Sequence, residues 1–169
     1  MRYLLSMSFL PIVLAALLAA PVVSQAADLT ESIQADYDAH LGVLFDHFHR
    51  NPELSLVEHE TAARMAQELR DAGFEVTEGV GGTGVIAIMK NGDGPMVMMR
   101  ADMDGLPVEE KSGLENASKV LQEDPITGDM VPVMHACGHD VHITSLVGTA
   151  RHMSARRGDW AGYDVQYAY

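Results

Sequence analysis

The sequence has little cysteine and little positive charge. Its one cysteine is Cys137, and 24 Asp and Glu residues stand against 11 Lys and Arg residues, for a formal net charge of -13 over 169 residues. A single cysteine cannot form an internal bridge, which excludes a disulfide scaffold. The shortage of basic side chains argues against nucleic acid as a partner, because Lys and Arg are needed to neutralise phosphate. Hydrophobic residues make up 47% of the chain, which indicates a globular protein rather than a disordered one.

The long hydrophobic run of this sequence lies at its N-terminus. Residues 4–20 are mostly apolar, they follow a basic start, and the small-x-small sequence Ser24-Gln25-Ala26 comes soon after them. This pattern is typical of a secretory signal peptide, so we expect cleavage after Ala26 and an exported domain of residues 27–169, periplasmic or extracellular. A membrane anchor or a buried core helix is the alternative, but the run is short for a bilayer and prolines interrupt it. We therefore expect no stable membrane span after cleavage.

Apolar periodicity predicts two helices in the first half of the chain. Apolar residues recur at every third or fourth position from Leu29 to Phe48, which predicts an amphipathic helix that ends before Pro52. Ser55 and Glu58 fit a capping box at the start of a second helix, and Gly73 fits its end.

After the second helix the hydrophobic period changes to two, which predicts strands. Short strands are expected around residues 74–76, 85–89 and 96–99, with a turn at residues 91–94. The last two are almost entirely apolar, so we expect them to be buried on both faces. Residues 105–134 are irregular, and a third helix follows them. This alternation of helices and strands indicates an α/β sandwich.

A glycine-rich segment at residues 79–84 matches the GxGxxG fingerprint of dinucleotide-binding folds. That fingerprint requires a strand before it and a helix after it, whereas here a strand follows. Since no helix N-terminus is available to receive a pyrophosphate, we interpret the segment as a turn.

Residues 134–142 concentrate side chains that bind metals. Three histidines, one cysteine and one aspartate occur within these nine positions: His135, Cys137, His139, Asp140 and His142. Cys137 and His139 are separated by one residue, so at an extended strand end their side chains point the same way and can reach one metal or two adjacent ones. Asp140 is expected to cap the third helix, and its carboxylate can support a cation. The density of these side chains favours a metal site.

An acidic pair, Asp102 and Asp104, follows the strand at residues 96–99. Open α/β sheets place their ligands at the carboxyl ends of strands, and the alternation puts both carboxylates on one side. Arg100 can form a salt bridge with either aspartate, and the alternative interpretation is an ordinary surface salt bridge. We expect the pair to face the same pocket as residues 135–140.

Four ordered blocks together resemble the amidohydrolase branch of the M20 metallopeptidases. They are Asn-Pro-Glu-Leu-Ser at 51–55, the glycine-rich segment at 79–85, Arg-Ala-Asp-Met-Asp-Gly-Leu-Pro-Val at 100–108 and Met-His-Ala-Cys-Gly-His-Asp-Val-His at 134–142. This branch includes hippurate hydrolases, N-acyl amino acid deacylases and hydrolases of indole-acetyl amino acids.

The resemblance implies a zinc-peptidase-like α/β catalytic domain, of which these residues form the N-terminal part, with the smaller lid domain used for dimerisation lying outside them. It implies hydrolysis of small N-acyl or conjugated amino acids at a two-metal centre, with Zn, Mn, Co or Ni as candidate ions. Cys137 and His139 match two metal ligands, and Asp104 matches an aspartate that orients a ligand. Asp102 stands where many relatives carry a metal-binding histidine, and with Asp140 and His142 it is a candidate for a supporting position.

The family's glutamine-proline-x-glutamate-glutamate motif, which supplies the general base and a further ligand, does not occur in the 169 residues. We therefore expect a truncated catalytic domain that binds metal weakly and hydrolyses little or nothing alone. The alternative is an exported metal-binding protein without catalysis, which would use the His135, Cys137, His139 and His142 side chains and bind zinc tightly. A purely structural interaction domain would require the metal-binding cluster to be a coincidence.

Overall fold

The computed structural model describes residues 20–169, with side chains from Asp28 onward. Most of the predicted leader, residues 1–26, therefore lies outside the described residues. Within the described part of the chain, no helix combines the length and the apolar character needed to cross a membrane.

The first predicted helix is present and begins earlier than its apolar pattern. It consists of α1 (Ala20–Asp36), a π-helical turn (Tyr37–Leu41) and α2 (Gly42–Arg50). Its inward face buries Leu41, Leu44 and Phe48. The helix ends before Pro52, as predicted, because proline cannot supply a backbone N–H to continue it.

The second predicted helix, α3 (His59–Asp71), is present, but the capping box predicted for it is wrong. The Glu53 carboxylate accepts hydrogen bonds from the backbone N–H groups of Glu60 (3.2 Å) and Thr61 (2.7 Å), so an upstream side chain satisfies these helix-start donors. Glu58 instead accepts from the Thr83 hydroxyl at 2.7 Å, which ties the helix start to the glycine-rich turn. The helix terminates near Gly73, whose φ of 87° favours glycine.

Within residues 20–169, six strands form one mixed sheet and one small ribbon. The strands are β1 (Glu75–Val80), β2 (Gly84–Asn91), β3 (Met96–Ala101), β4 (Leu121–Glu123), β5 (Met130–Pro132) and β6 (Gly162–Ala168). The four-stranded sheet has the order β1-β2-β6-β3, in which β6 runs antiparallel to β2 and parallel to β3. The β4-β5 ribbon lies within the irregular segment and was not predicted. The glycine-rich segment turns β1 into the antiparallel β2, as expected.

The prediction that the second and third strands are buried on both faces is wrong. On β2, Val85, Ala87 and Met89 are buried, whereas Ile88 is 40% exposed. On β3, Met96 to Met98 are at least 60% exposed. The physical reason is that α3 and α4 (His139–Ala155) cover one face of the sheet, and β3 is an edge strand of the described part.

The third predicted helix is α4, but Asp140 is not its cap. The N-cap residue is Gly138 in a left-handed conformation, and Asp140 lies inside the first turn. The buried face of α4 contains Ile143, Leu146, Val147 and Ala150, which join the core formed with α2, α3 and the sheet. Met153 is only partly buried. The predicted α/β class is confirmed by this arrangement.

Candidate metal centre

The acidic pair and the histidine-rich segment meet beyond the end of β3. Met103 between the two aspartates is fully buried, and its N–H donates to the Tyr169 carbonyl at 2.9 Å. Because successive side chains in extended backbone alternate, burial of Met103 turns Asp102 and Asp104 outward on the same side. The first turn of α4 brings His139 to both of them.

His139 is held through one ring nitrogen. Its Nδ1 lies 2.8 Å from Asp104 Oδ1 and 3.0 Å from the Asp104 carbonyl oxygen. Its Nε2 lies 3.6 Å from Asp102 Oδ2. An imidazole whose Nδ1–H donates to a carboxylate or carbonyl presents Nε2 as the ligand atom, with its orientation fixed.

The His142 side chain completes a group of three potential ligands. Its ring centroid lies 5.3 Å from that of His139, one helical turn earlier. One ligand atom from each of Asp102, His139 and His142 lies within 4.8 Å of the other two. Two imidazoles and a carboxylate fit a divalent ion such as Zn, Mn, Co or Ni, so the donor set is compatible with the expected metal.

Cys137 is placed differently from the extended geometry expected for it. Residues 136–137 form a turn before Gly138, and the Cys137 side chain is an exposed free thiol. It is not part of the Asp102–His139–His142 group. Ligation of a metal by Cys137 therefore stays a prediction.

His135 approaches the same backbone carbonyl as His139. Its Nδ1 lies 3.2 Å from the Asp104 carbonyl oxygen, and the residue is only 6% exposed. Burial lowers the pKa of His135, with the Asp140 charge and the Asp104 hydrogen bond opposing this effect. Its buried Nε2 has no hydrogen-bond partner among the described residues.

The sequence analysis did not identify His49 and Glu110, two residues that lie behind the candidate metal centre. His49 Nδ1 lies 2.7 Å from Asp140 Oδ2, and its Nε2 lies 3.4 Å from Glu110 Oε1. Burial opposes ionisation of Glu110, but hydrogen bonds from Ser112 and Ser118, together with His49, hold its pKa below the usual value. The position of His49 just before the 51–55 block was a usable signal, whereas Glu110 lies in an irregular segment without one.

A cleft of about 370 Å³ adjoins the acidic pair. It is lined by the carboxylates of Glu58, Asp102 and Asp104, by Ser55 and Leu56, by the glycine-rich turn, and by Tyr167 and Tyr169. Arg100 pairs with Asp102 at 3.0 Å, as the sequence allowed, and its guanidinium lies 4.6 Å from the Tyr169 ring centroid. Leu56 has a φ of 76°, an unusual conformation for a residue other than glycine. The cleft lining therefore combines acidic side chains with apolar and aromatic ones.

The fold and the site define an α/β protein with a candidate divalent-metal centre at the end of a sheet strand. A sequence model of peptidase family M20/M25/M40 matches residues 98–166. This match, together with the relatives described next, confirms the resemblance to the M20 metallopeptidases carried by the four sequence blocks.

Comparison with individual proteins agrees with this assignment. The chain is 49% identical over 104 residues to thermostable carboxypeptidase 2 of Saccharolobus solfataricus, covering 60% of this chain and 24% of that protein. It is 42% identical over 109 residues to hippurate hydrolase of Campylobacter jejuni, covering 64% and 26%. The structure of the Bacillus subtilis YXEP protein, described as a dinuclear metal binding peptidase from the M20 family, superposes with a TM-score of 0.68 at 34% identity, covering 79% and 35%. The chain spans about a quarter of the length of the curated relatives it matches.

Proposed function

We propose that this chain belongs to the catalytic part of a metal-dependent amidohydrolase that acts on small N-acyl amino acids. The observation that carries the proposal is the arrangement of His139, whose Nδ1 is held by Asp104 while its Nε2 faces Asp102 and is close to His142. The names of the relatives, a carboxypeptidase and a hippurate hydrolase, support cleavage of a bond next to an amino acid.

Each residue of the site has a proposed role. His139 and Cys137 would ligate metal, and Asp104 orients His139 through the contacts described above. Asp102 and His142 lie within reach of the same ion, and Asp140 supports the first turn of α4. A bound divalent metal would lower the pKa of a water and polarise the scissile carbonyl. Two such ions are proposed, with Zn, Mn, Co and Ni all compatible with the donor atoms.

The cleft beside the acidic pair is the proposed substrate site. Its volume suits a small molecule, and Leu56, Tyr167 and Tyr169 offer apolar surface to an acyl or aromatic group. Two of its acidic side chains, Asp102 and Asp104, belong to the metal centre, and their negative charge disfavours a substrate carboxylate next to them.

We expect little or no turnover by the 169-residue chain alone. Removal of a general base typically costs roughly 10²- to 10⁴-fold in rate. A site that has only part of the ligand set implied by the family resemblance is expected to bind zinc weakly. Zinc titration by calorimetry separates this account from the alternative of an exported metal-binding protein. Weak binding supports the hydrolase fragment, whereas tight stoichiometric binding without turnover favours the alternative.

A chimera tests the function itself. Residues 28–169 would replace the matching segment of the Campylobacter jejuni hippurate hydrolase, and hippurate hydrolysis would be measured with zinc or manganese. We expect metal-dependent turnover that falls by at least about 100-fold in the His139→Ala chimera, because a metal ligand is lost. His47→Ala, an exposed histidine on α2, is the matched control and should leave turnover unchanged. A folded chimera that contains metal and shows no turnover would contradict the proposal.

Export and dimerisation complete the proposal. The N-terminal pattern supports export through a signal peptide cleaved after Ala26, and intact protein from the periplasm or medium should then begin at Ala27 by mass spectrometry. A homodimer is proposed from the family resemblance. A product that retains residues 1–26 in these fractions would contradict cleavage.

A further inference from the structure

His49 lies between two carboxylates that come from distant parts of the chain. From α2 its Nδ1 reaches Asp140 Oδ2 at 2.7 Å, in the first turn of α4. On the other side of the ring, Nε2 lies 3.4 Å from Glu110 Oε1, an ion-pair distance at which no hydrogen bond is formed. The imidazole therefore connects α2, α4 and the irregular segment before β4 at one point.

Both carboxylates are buried and fixed by other contacts. Asp140 is 3% exposed, and its second oxygen accepts from the Val141 N–H at 2.9 Å. Glu110 is 7% exposed, and it accepts from the Ser118 N–H at 2.6 Å and from the Ser112 hydroxyl at 2.5 Å. Both carboxylates are largely shielded from water, so each depends on the hydrogen-bond and ion-pair partners it has.

Asp140 shares the first turn of α4 with His139 and His142. The turn starts at Gly138, which lacks a side-chain cap, and the N–H groups of Val141 and His142 both donate to the Gly138 carbonyl. His49 is therefore a long-range side-chain anchor for a helix start that carries two of the three clustered ligand side chains.

We propose that His49 is a positioning residue. It fixes the first turn of α4 through Asp140 and thereby orients the His139 and His142 side chains towards the metal. Glu110 keeps the His49 ring in place from behind. This inference rests on the proposed metal-dependent function, but its structural part concerns the metal-free protein as well. Groups that orient ligands from behind typically change metal affinity by roughly 10- to 100-fold when removed.

The test compares three substitutions at His49 in the full chain. His49→Ala removes the donor to Asp140, and His49→Asn restores it, because the asparagine amide N–H lies near the position of Nδ1. His49→Phe fills the space of the imidazole but has no hydrogen-bond donor for Asp140. It replaces the alanine variant in the comparison if that variant fails to fold. His47→Ala is the control, since it removes an exposed imidazole from the same helix.

Two measurements are made on each variant. The first is the zinc affinity from calorimetry, for which we expect a loss of roughly 10-fold or more in His49→Ala or His49→Phe and recovery to within about threefold in His49→Asn. The second is amide hydrogen exchange without metal. We expect exchange of Val141 and His142 to accelerate by about tenfold in His49→Ala, while the amides of α3 keep their wild-type rates.

The outcomes separate this inference from the proposed function. Wild-type protein that binds no zinc would overturn the proposed function, and the exchange rates would still decide the role of His49. Unchanged exchange at Val141 and His142 in His49→Ala, or equal losses of zinc affinity in the alanine and asparagine variants, would overturn the positioning role. A general acceleration that includes α3 would show a global stability effect and would also overturn it.

Discussion

Among individual residues, Asp104 is notable because its backbone carbonyl contacts two histidine rings, those of His135 and His139. The carbonyl oxygen lies 3.0 Å from His139 Nδ1 and 3.2 Å from His135 Nδ1, so one oxygen orients two imidazoles. Both rings consequently direct Nε2 away from this carbonyl. Asp104 therefore contributes to the site through its main chain as well as its carboxylate, which a motif that specifies only side-chain identity does not reveal.

Asp164 is a buried carboxyl group in the core, away from the metal centre. It is 5% exposed, one oxygen accepts from the fully buried Gln166 amide at 2.6 Å, and the other has no hydrogen-bond partner among the described residues. Burial raises the pKa of Asp164, and the Gln166 hydrogen bond only partly offsets this effect. Folding therefore shifts the Asp164 carboxyl group towards its protonated form.

The raised pKa of Asp164 gives a prediction about stability. The contribution of the Asp164 carboxyl group to the stability of the fold is fully present below the unfolded pKa of about 3.9. It is lost as the pH rises through the higher pKa of the folded state. Asp164→Asn should therefore increase the free energy of unfolding by roughly 1–3 kcal/mol at pH 8, and the gain should disappear towards pH 4. Urea unfolding across this range measures the difference. Asp93→Asn, in the exposed turn after β2, is the control, and a gain independent of pH would refute the explanation.

At the scale of elements, the start of α3 depends on a side chain outside the predicted capping box. Glu53 accepts from two backbone N–H groups of the first turn, and its negative charge also suits the positive end of the helix dipole. Ser55, which fits the capping-box pattern, is exposed. The backbone N–H groups at the start of a helix can thus be bound by a side chain from the preceding loop instead of by the local capping motif.

Substitution of these two residues tests the capping assignment. Glu53→Ala should lower the free energy of unfolding by about 1 kcal/mol, because two helix-start donors lose their acceptor. Ser55→Ala should change it by less than about 0.5 kcal/mol, as for an ordinary surface substitution. Urea midpoints of both variants give the comparison. A larger loss of unfolding free energy in Ser55→Ala than in Glu53→Ala would contradict this assignment and support the capping box.

The predicted elements show where sequence patterns were sufficient. Apolar periodicity located the three predicted helices, the first of which comprises α1, the π-helical turn and α2, because an amphipathic face of period 3.6 is a local property of the chain. It failed for the exposure of β3, since burial depends on which elements cover a strand. The order β1-β2-β6-β3 places the last described strand between two earlier ones, and no local pattern encodes that insertion.

On the scale of the whole molecule, the sheet and α4 bring together sites separated by long stretches of sequence. The pairing of β3 with β6 fixes the backbone before Asp102, and packing of α4 on the sheet delivers His139 to it. The sequence predicted that the two segments face one pocket, because both were expected at the ends of sheet strands. It did not predict His49 and Glu110, whose partners lie 91 residues away in one case and 61 in the other.

Zinc-edge anomalous diffraction from crystals of the full chain soaked in zinc tests directly whether the side chains around His139 hold a divalent metal. We expect an anomalous peak about 2.0–2.1 Å from His139 Nε2, with Asp102, His142 or Cys137 as further ligands, and loss of this peak in His139→Ala crystals. Zinc bound only at sites that exclude His139, or an unchanged peak in the His139→Ala crystals, would contradict this expectation.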